Sequence, residues 1–296
     1  MARKIRIALK LLVYRLLSKK TRLIGDEAYN KLLFWITFGR KADFDHPTTF
    51  NEYVCARKVR REEEPLSVYT DKYAVRDYVR EAVGENYLNQ VYGVYGSYDE
   101  IDFDTLPRRF ALKCTHGSGM NIIVRDKDEL DHATARKKMA AWLQENFYYK
   151  AREKNYKPIL PRIMCDAYLE AASGGGLDEM KVFCFGGRAK FISYNLFKGD
   201  KPYTNYYDAD WNRLDLRVGY ENFPQDDLPD NRDEVIRIAE RLAEPFDFVR
   251  VDLYNIDGRI LFSELTFHSG GGFTPFTPAS YDREFAKYFE ELEKPV

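Results

Sequence analysis

The chain has 296 residues, with 46 Lys and Arg against 47 Asp and Glu, for a formal net charge of −1. Hydrophobic residues at 45% and charged residues at 31% describe a folded chain and exclude intrinsic disorder. The near-neutral total lacks the cationic excess that a nucleic-acid partner requires, and no apolar run approaches the roughly 18–20 residues of a membrane-spanning helix.

The charge is unevenly placed. Met1–Gly25 carries eight cations and no acid, which leaves 38 cations and 47 acids on the other 271 residues. Ile5, Leu9, Leu12, Leu16 and Leu17 recur there at helical spacing. The segment therefore reads as a basic amphipathic arm, either packed on the protein or lying on an anionic membrane surface. Lys10 and Arg15 interrupt its apolar stretch and no small-residue cleavage site follows, unlike a signal peptide. Residues 1–70 form a helical N-terminal region, and the polar run Arg57–Pro65 is either a domain joint or a solvated helix end.

Asp71–Val83 is a predicted helix, with Ala74, Val75, Tyr78, Val79 and Ala82 on one face and Gly84 at its end. Phe110–Cys114 and Ile122–Arg125 are strands around the loop Thr115–Asn121, and Ala133–Lys150 is a second long helix. Val182–Phe185 and Ala189–Tyr194 flank Gly186-Gly187, a hairpin signal. Asn231–Ala243 is a helix with Val235, Ile238, Ala239 and Leu242 inward. Phe248–Tyr254 and Arg259–Thr266 flank a turn at residues 255–258, and Tyr281–Lys294 closes the chain as an amphipathic helix. Hairpins interspersed with helices indicate an α+β fold with largely antiparallel sheets. The βαβ alternation, GxxxxGK and GxGxxG of the common nucleotide folds are missing from the sequence.

Cys55, Cys114, Cys165 and Cys184 show no CxxC spacing, and His46, His116, His132 and His268 form no pair at ligand spacing. Neither a disulfide framework nor a zinc site is indicated, and isolated thiols fit a reducing cytoplasm.

Three segments carry candidate chemistry. Lys113 ends an apolar strand and precedes a loop rich in Gly, Ser and Thr, whose backbone N–H groups would turn toward a phosphate beside the lysine charge. Glu179 and Lys181 share one strand face, with Val182 and Cys184 on the other. Asp252 and Glu264 interrupt very apolar strands, where a carboxylate is costly without a partner. Two such carboxylates on neighbouring strands would suit Mg²⁺, although Arg250, on Asp252's face, would also pair with it. Register decides: an odd-length loop places Asp252 and Glu264 opposite each other, whereas a two-residue turn at Asp257-Gly258 places them on opposite faces.

Together these features resemble the ATP-grasp superfamily, and within it the TupA-like branch associated with teichuronopeptide and capsule-type polysaccharide biosynthesis. The resemblance rests on His46-Pro-Thr-Thr-Phe-Asn-Glu52, Asp71-Lys-Tyr-Ala-Val-Arg-Asp-Tyr-Val79, Leu112-Lys-Cys-Thr-His-Gly-Ser-Gly119, Met180-Lys-Val-Phe-Cys-Phe-Gly-Gly187, Arg250-Val-Asp-Leu-Tyr254 and Glu264-Leu-Thr-Phe267. It implies that residues 71–296 form the ATP-grasp region, about 106–165 as a lid or central subdomain and 166–296 as a C-terminal one, gripping ATP between them.

The same resemblance implies roles by position. Lys72 and Lys113 would hold ATP phosphates, and Thr115–Met120 (with Gly117, Ser118 and Gly119) would cover them. Asp166, Ala167, Tyr168 and Leu169 would form the hinge edge against adenine, with Glu179 as the ribose acid. Lys181 would lie near the transferred phosphate and Arg250 beside an acyl phosphate. Asp252, Glu264 and Thr266 would hold Mg²⁺, Thr266 standing where the superfamily usually has Asn. The implied reaction joins a carboxylate, on a glycan or lipid-linked glycan, to a small-molecule amine or amino acid. His116 and His268 would bind phosphate or substrate, or serve structure alone, and Ser269-Gly-Gly-Gly272 is either a close approach to substrate or a flexible loop.

Two other readings compete. Asp208-Ala-Asp210 has the DxD pattern of a metal-dependent glycosyltransferase, though Asp43/Asp45, Asp102/Asp104 and Asp126/Asp128 match it too. A non-catalytic nucleotide- or glycan-binding module would use some of the 22 Tyr, 20 Phe and 3 Trp as stacking platforms.

Overall fold

The computed structural model describes residues 24–60, 66–172 and 174–293. The basic arm lies outside these, except for its last two residues. Two antiparallel sheets organise the chain. The smaller has the order β1-β4-β2-β3, from Val91–Tyr95 (β1), Phe110–Cys114 (β2), Asn121–Val124 (β3) and Ile163–Ala167 (β4). The larger runs β10-β9-β5-β6-β7-β8, from Glu179–Phe185 (β5), Arg188–Lys198 (β6), Lys201–Asp208 (β7), Arg213–Leu214 (β8), Phe248–Ile256 (β9) and Arg259–Thr266 (β10).

Helices α1 (Asp26–Phe38), α2 (Phe50–Arg60), α3 (Leu66–Thr70) and α4 (Val75–Ala82) precede the sheets. Asp71 starts α4 by accepting the N–H groups of Tyr73 and Ala74 at 2.8 and 3.1 Å. The long helix expected over Ala133–Lys150 is two pieces, α5 (His132–Leu143) and α6 (Tyr148–Ala151). Asn146 makes the break: its side chain accepts the Tyr148 N–H at 3.1 Å and donates to the Lys157 carbonyl at 2.9 Å, offering the backbone a turn instead of a helix. The closing helix is likewise divided into α8 (Ser280–Glu284) and α9 (Ala286–Leu292) around Phe285, whose ring stacks on Phe191 with centroids 3.8 Å apart.

The larger sheet has two different faces. One is covered by α7 (Arg232–Ala243), which buries Val235, Ile238, Ala239 and Leu242 completely against Val182, Cys184, Ile192, Val249, Val251 and Leu253. Each fully buried Val, Leu or Ile there contributes about 1.5–3 kcal/mol relative to exposure. The opposite face changes along the strands. At one end Phe183, Phe185, Phe191 and Phe248 pack under Phe50 of α2, Phe285 at the junction of α8 and α9, and Phe289 of α9. At the other end the same alternation, continued along β5 and β9, presents Lys181, Glu179, Arg250 and Asp252. Among the described residues no helix is long and apolar enough to cross a membrane.

Candidate active site

The hairpin of β9 and β10 closes through Asp257 and Gly258, both at positive φ (52° and 83°), with Arg259 opposite Ile256. This two-residue turn is the arrangement that puts Glu264 on the wrong face. A bulge between Phe262 and Glu264 corrects it: Phe262 pairs with Leu253, but Glu264 pairs with Asp252 and Thr266 with Arg250. The extra residue, Ser263, also reaches the site, donating its hydroxyl to Glu179 at 3.2 Å.

Three carboxylates and three cations meet on this face. Asp252 is fully buried and is gripped bidentately by Arg250 (Nε–Oδ1 2.7 Å, Nη2–Oδ2 2.6 Å), with Lys181 Nζ at 3.0 Å from Oδ2. Lys181 also pairs with Glu179 at 2.7 Å. Glu264 pairs with Lys72, from the turn before α4, at 2.9 Å, and accepts the Thr266 hydroxyl at 3.3 Å. Arg250 extends further, to the Thr266 hydroxyl at 3.1 Å and the Ser269 hydroxyl at 3.0 Å.

Electrostatics follow from these pairs. The Lys72 ammonium holds the Glu264 carboxyl down to about 2, against the opposing effect of burial. Burial and the neighbouring Asp252 charge push Glu179 up. For Lys181 and Arg250 burial is the largest single influence and works against the charge, but the surrounding carboxylates, Asp252 foremost, together outweigh it and both are raised.

Lys113 forms a separate pair on the smaller sheet, with Asp166 Oδ2 at 2.9 Å. Lys72 links the two sheets, because its backbone N–H donates to the Thr115 carbonyl at 3.2 Å while its side chain reaches Glu264. The loop after Lys113 is anchored at its root: Thr115, His116 and Gly117 are buried, His116 Nε2 lies 3.1 Å from the Trp142 carbonyl, and Ser118 and Gly119 form the exposed tip. Of the expected hinge edge, Ala167 has its N–H committed to the Gln90 carbonyl and its carbonyl to Asn89. Tyr168 stacks against Arg109 with the guanidinium 5.1 Å from the ring centroid.

Beside Lys181 and Arg250 opens a cavity of about 230 Å³, floored by Ser193, Asn195, Thr204 and Tyr206 of β6 and β7 and walled by Ser269, Gly270 and Thr274. Among the described residues no carboxylate side chain lines it. A larger hollow of about 830 Å³ between Arg40, Phe276 and Lys287 holds none of the expected site residues.

Residues for Mg²⁺ are at hand. Glu264 is a third exposed, and among the described residues its Oε1 meets the long Thr266 contact and a 3.8 Å approach of Arg250. Both Asp252 oxygens are already bonded, Oδ1 to Arg250 and Oδ2 to Arg250 and Lys181. The carboxylates and the hydroxyl thus fit a hard cation, with Asp252 the more encumbered ligand.

The four Asp-x-Asp patterns have another explanation. In each, the first aspartate accepts the backbone N–H of the second: Asp43 from Asp45, Asp102 from Asp104, Asp126 from Asp128 and Asp208 from Asp210, at 2.9–3.1 Å. Asp208 also takes Asn212's backbone and side-chain N–H groups. These are Asx turns, and the Asp208 carboxylate is spent on closing the bend between β7 and β8. The roles of Ser263 and Lys58 carry no signal in a single sequence. Lys58 lies in the polar run Arg57–Pro65 yet is 1% exposed.

No curated protein matches the chain. Among solved structures, an L-amino acid ligase from Bacillus licheniformis matches with a TM-score of 0.45 at 14% identity, over 75% of this chain and 49% of that one. A D-alanine–D-alanine ligase from Bacillus anthracis complexed with ATP matches with a TM-score of 0.43 at 15% identity, over 78% and 69%. An ADP complex of an N5-carboxyaminoimidazole ribonucleotide synthetase matches with a TM-score of 0.42 at 14% identity, over 69% and 46%. The chain spans about half the length of the first and last of these. The family model described as TupA-like ATPgrasp matches residues 52–290, a span that holds both sheets and every side chain of the site. The chain belongs to the TupA-like ATP-grasp family.

Proposed function

We propose that the chain is an ATP- and Mg²⁺-dependent carboxylate–amine ligase that works through an acyl phosphate and modifies a cell-surface, capsular-type polysaccharide or its precursor. The observation that supports this best is the matched set of Lys72, Lys181 and Arg250 against Glu179, Asp252 and Glu264, beside a cavity lined by Lys181 and Arg250 and, among the described residues, by no acid. A triphosphate would take over the lysines, releasing Glu264 from Lys72 and relieving Asp252 of one of its two cations.

A carboxylate acylates poorly. In the proposed reaction a carboxylate oxygen of the substrate, seated in the 230 Å³ cavity, attacks the γ-phosphorus of ATP and ADP leaves. The amine then attacks the acyl carbon, inorganic phosphate leaves, the amine loses a proton and an amide forms. Lys72 and Lys113 hold phosphates under the Thr115–Met120 loop, with Asp166, Ala167, Tyr168 and Leu169 along the adenine edge and Glu179 at the ribose. Lys181 offsets charge on the phosphoryl oxygens and Arg250 on the acyl phosphate, while the protein positions the reactants. Asp252, Glu264 and Thr266 would hold Mg²⁺, which would supply positive charge against the phosphates.

The test is acceptor-dependent ADP release: Lys113→Ala and Glu264→Gln should abolish it, and retention by both variants removes the site assignment. A thermal-shift panel with ATP–Mg²⁺ against UDP-, GDP- and CMP-sugars separates this reading from a glycosyltransferase, since a specific ligand stabilises the native state. We further propose that residues 1–25 hold the enzyme at the inner, cytoplasmic face of the membrane, where a lipid-linked acceptor would be presented. Deleting Met1–Arg22 should weaken binding to anionic vesicles, and unchanged binding removes this part.

A further inference from the structure

Lys58 lies on α2, is 1% exposed, and its ammonium has no carboxylate in ion-pair range among the described residues. It donates to the Gly271 carbonyl at 2.6 Å and lies over the Phe273 ring, 4.4 Å from the centroid. A buried ammonium satisfied by one carbonyl and one ring is costly, and a methionine of similar length would fill the same space without desolvating a charge. What the lysine has and methionine lacks is a donor directed at Gly271.

That carbonyl belongs to a strap with a defined task. Ser269–Gly272 bends through three consecutive glycines at φ of 57°, 63° and 78°. Its first residue, Ser269, accepts the hydrogen bond from Arg250 Nη1, and Ser269, Gly270 and Thr274 form a wall of the cavity beside Lys181. The strap has no side chains of its own at residues 270–272, so beyond its two internal bonds, Gly271 N–H to His268 and Phe273 N–H to Gly270, its shape depends on support from outside. One face of α2 does so. Asn51 exchanges two hydrogen bonds with the Thr274 backbone, both 2.9 Å, and Cys55 sits so close to Gly272 that an added Cβ would lie 2.4 Å from its sulfur. Lys58, one further turn along, holds Gly271.

We infer that Lys58 is a positioning residue for the ligase site: by fixing the Gly271 carbonyl it sets the strap, and through Ser269 and the cavity wall it sets Arg250 against the carboxylate substrate. This rests on the ligase reading for its kinetic part but not for its structural part. Among the described residues, Lys72, Lys113 and Asp166 on the nucleotide side form no hydrogen bond or ion pair with the strap, so the effect is confined to the carboxylate side.

The experiment compares wild type with Lys58→Met and Ser269→Ala. Amide hydrogen exchange at Gly271 and Phe273, whose N–H groups bond to His268 and Gly270, should be at least ten-fold faster in Lys58→Met while its melting temperature stays within a few degrees. In acceptor-dependent ADP release, Lys58→Met and Ser269→Ala should each lower kcat about ten-fold with KM for ATP unchanged, and the double variant should lose no more than the worse single. Unchanged strap exchange in Lys58→Met overturns the inference, as does a kcat loss matched by an equal rise in the KM for ATP. If Lys58→Met does not fold, Lys58→Gln, which keeps an N–H donor but falls short of the carbonyl, is read the same way. A wild-type chain that releases no ADP with any acceptor overturns the ligase reading alone, and the exchange comparison still decides the clamp.

Discussion

Asp252 and Glu264 face each other across β9 and β10 although the hairpin joining them closes through a two-residue turn. The turn sets a register in which Asp252 would meet Ser263, and the bulge advances β10 by one residue so that it meets Glu264 instead. Deleting Ser263 should therefore leave the pair in place, because the turn's own register then runs straight through to Glu264. The variant should fold and keep Glu264 titrating well below the ordinary carboxylate range, losing only the hydroxyl contact to Glu179. A return of Glu264 to about 4.3 in the deletion variant, read by carboxyl NMR, would show that the bulge does more than set register.

Lys72 is the main cause of the low Glu264 pKa. Lys72→Met should raise that pKa from about 2 toward the ordinary 4.3 or beyond. The sign for stability follows: a carboxyl depressed in the folded state contributes stability above its unfolded pKa, and this is lost as pH falls toward 2. Acid titration of wild type should show that loss between about pH 4 and pH 2, and Lys72→Met should have lost most of it already at neutral pH.

Arg250→Met leaves a fully buried Asp252 with Lys181 as its remaining cation. Breaking a buried pair from one side costs about 3–5 kcal/mol, and the retained lysine should keep this variant near the lower value. Adding Asp252→Asn removes the stranded charge and should recover part of the loss. Urea denaturation of the single and double variants measures both, and a double variant less stable than Arg250→Met would contradict the account.

Asp208→Ala removes three hydrogen bonds from the bend between β7 and β8. With each exposed bond contributing about 0.5–1 kcal/mol, the chain should lose roughly 1.5–3 kcal/mol of stability. Acceptor-dependent ADP release should persist in the folded fraction. Loss of turnover without loss of stability would return the DxD reading to consideration.

Much of the fold was readable because period-two and helical patterns are local. Glu179 and Lys181 do share a face, Arg250 does pair with Asp252, and α7 buries the four residues expected. What could not be read depends on partners remote in sequence or on a single backbone adjustment. Counting back from the turn cannot reveal the extra residue at Ser263. A helical pattern through Asn146 conceals a side chain that prefers the Lys157 carbonyl. Lys58 looks solvated because its neighbours are charged, and only the strap 213 residues away explains its burial.

The mutual pairing of three cations with three carboxylates has a kinetic consequence. Such a site projects little net field, so an anionic nucleotide approaching it is neither drawn in nor repelled at long range. Its capture would depend on exchange of lysine partners at contact, and the association rate should change little with ionic strength.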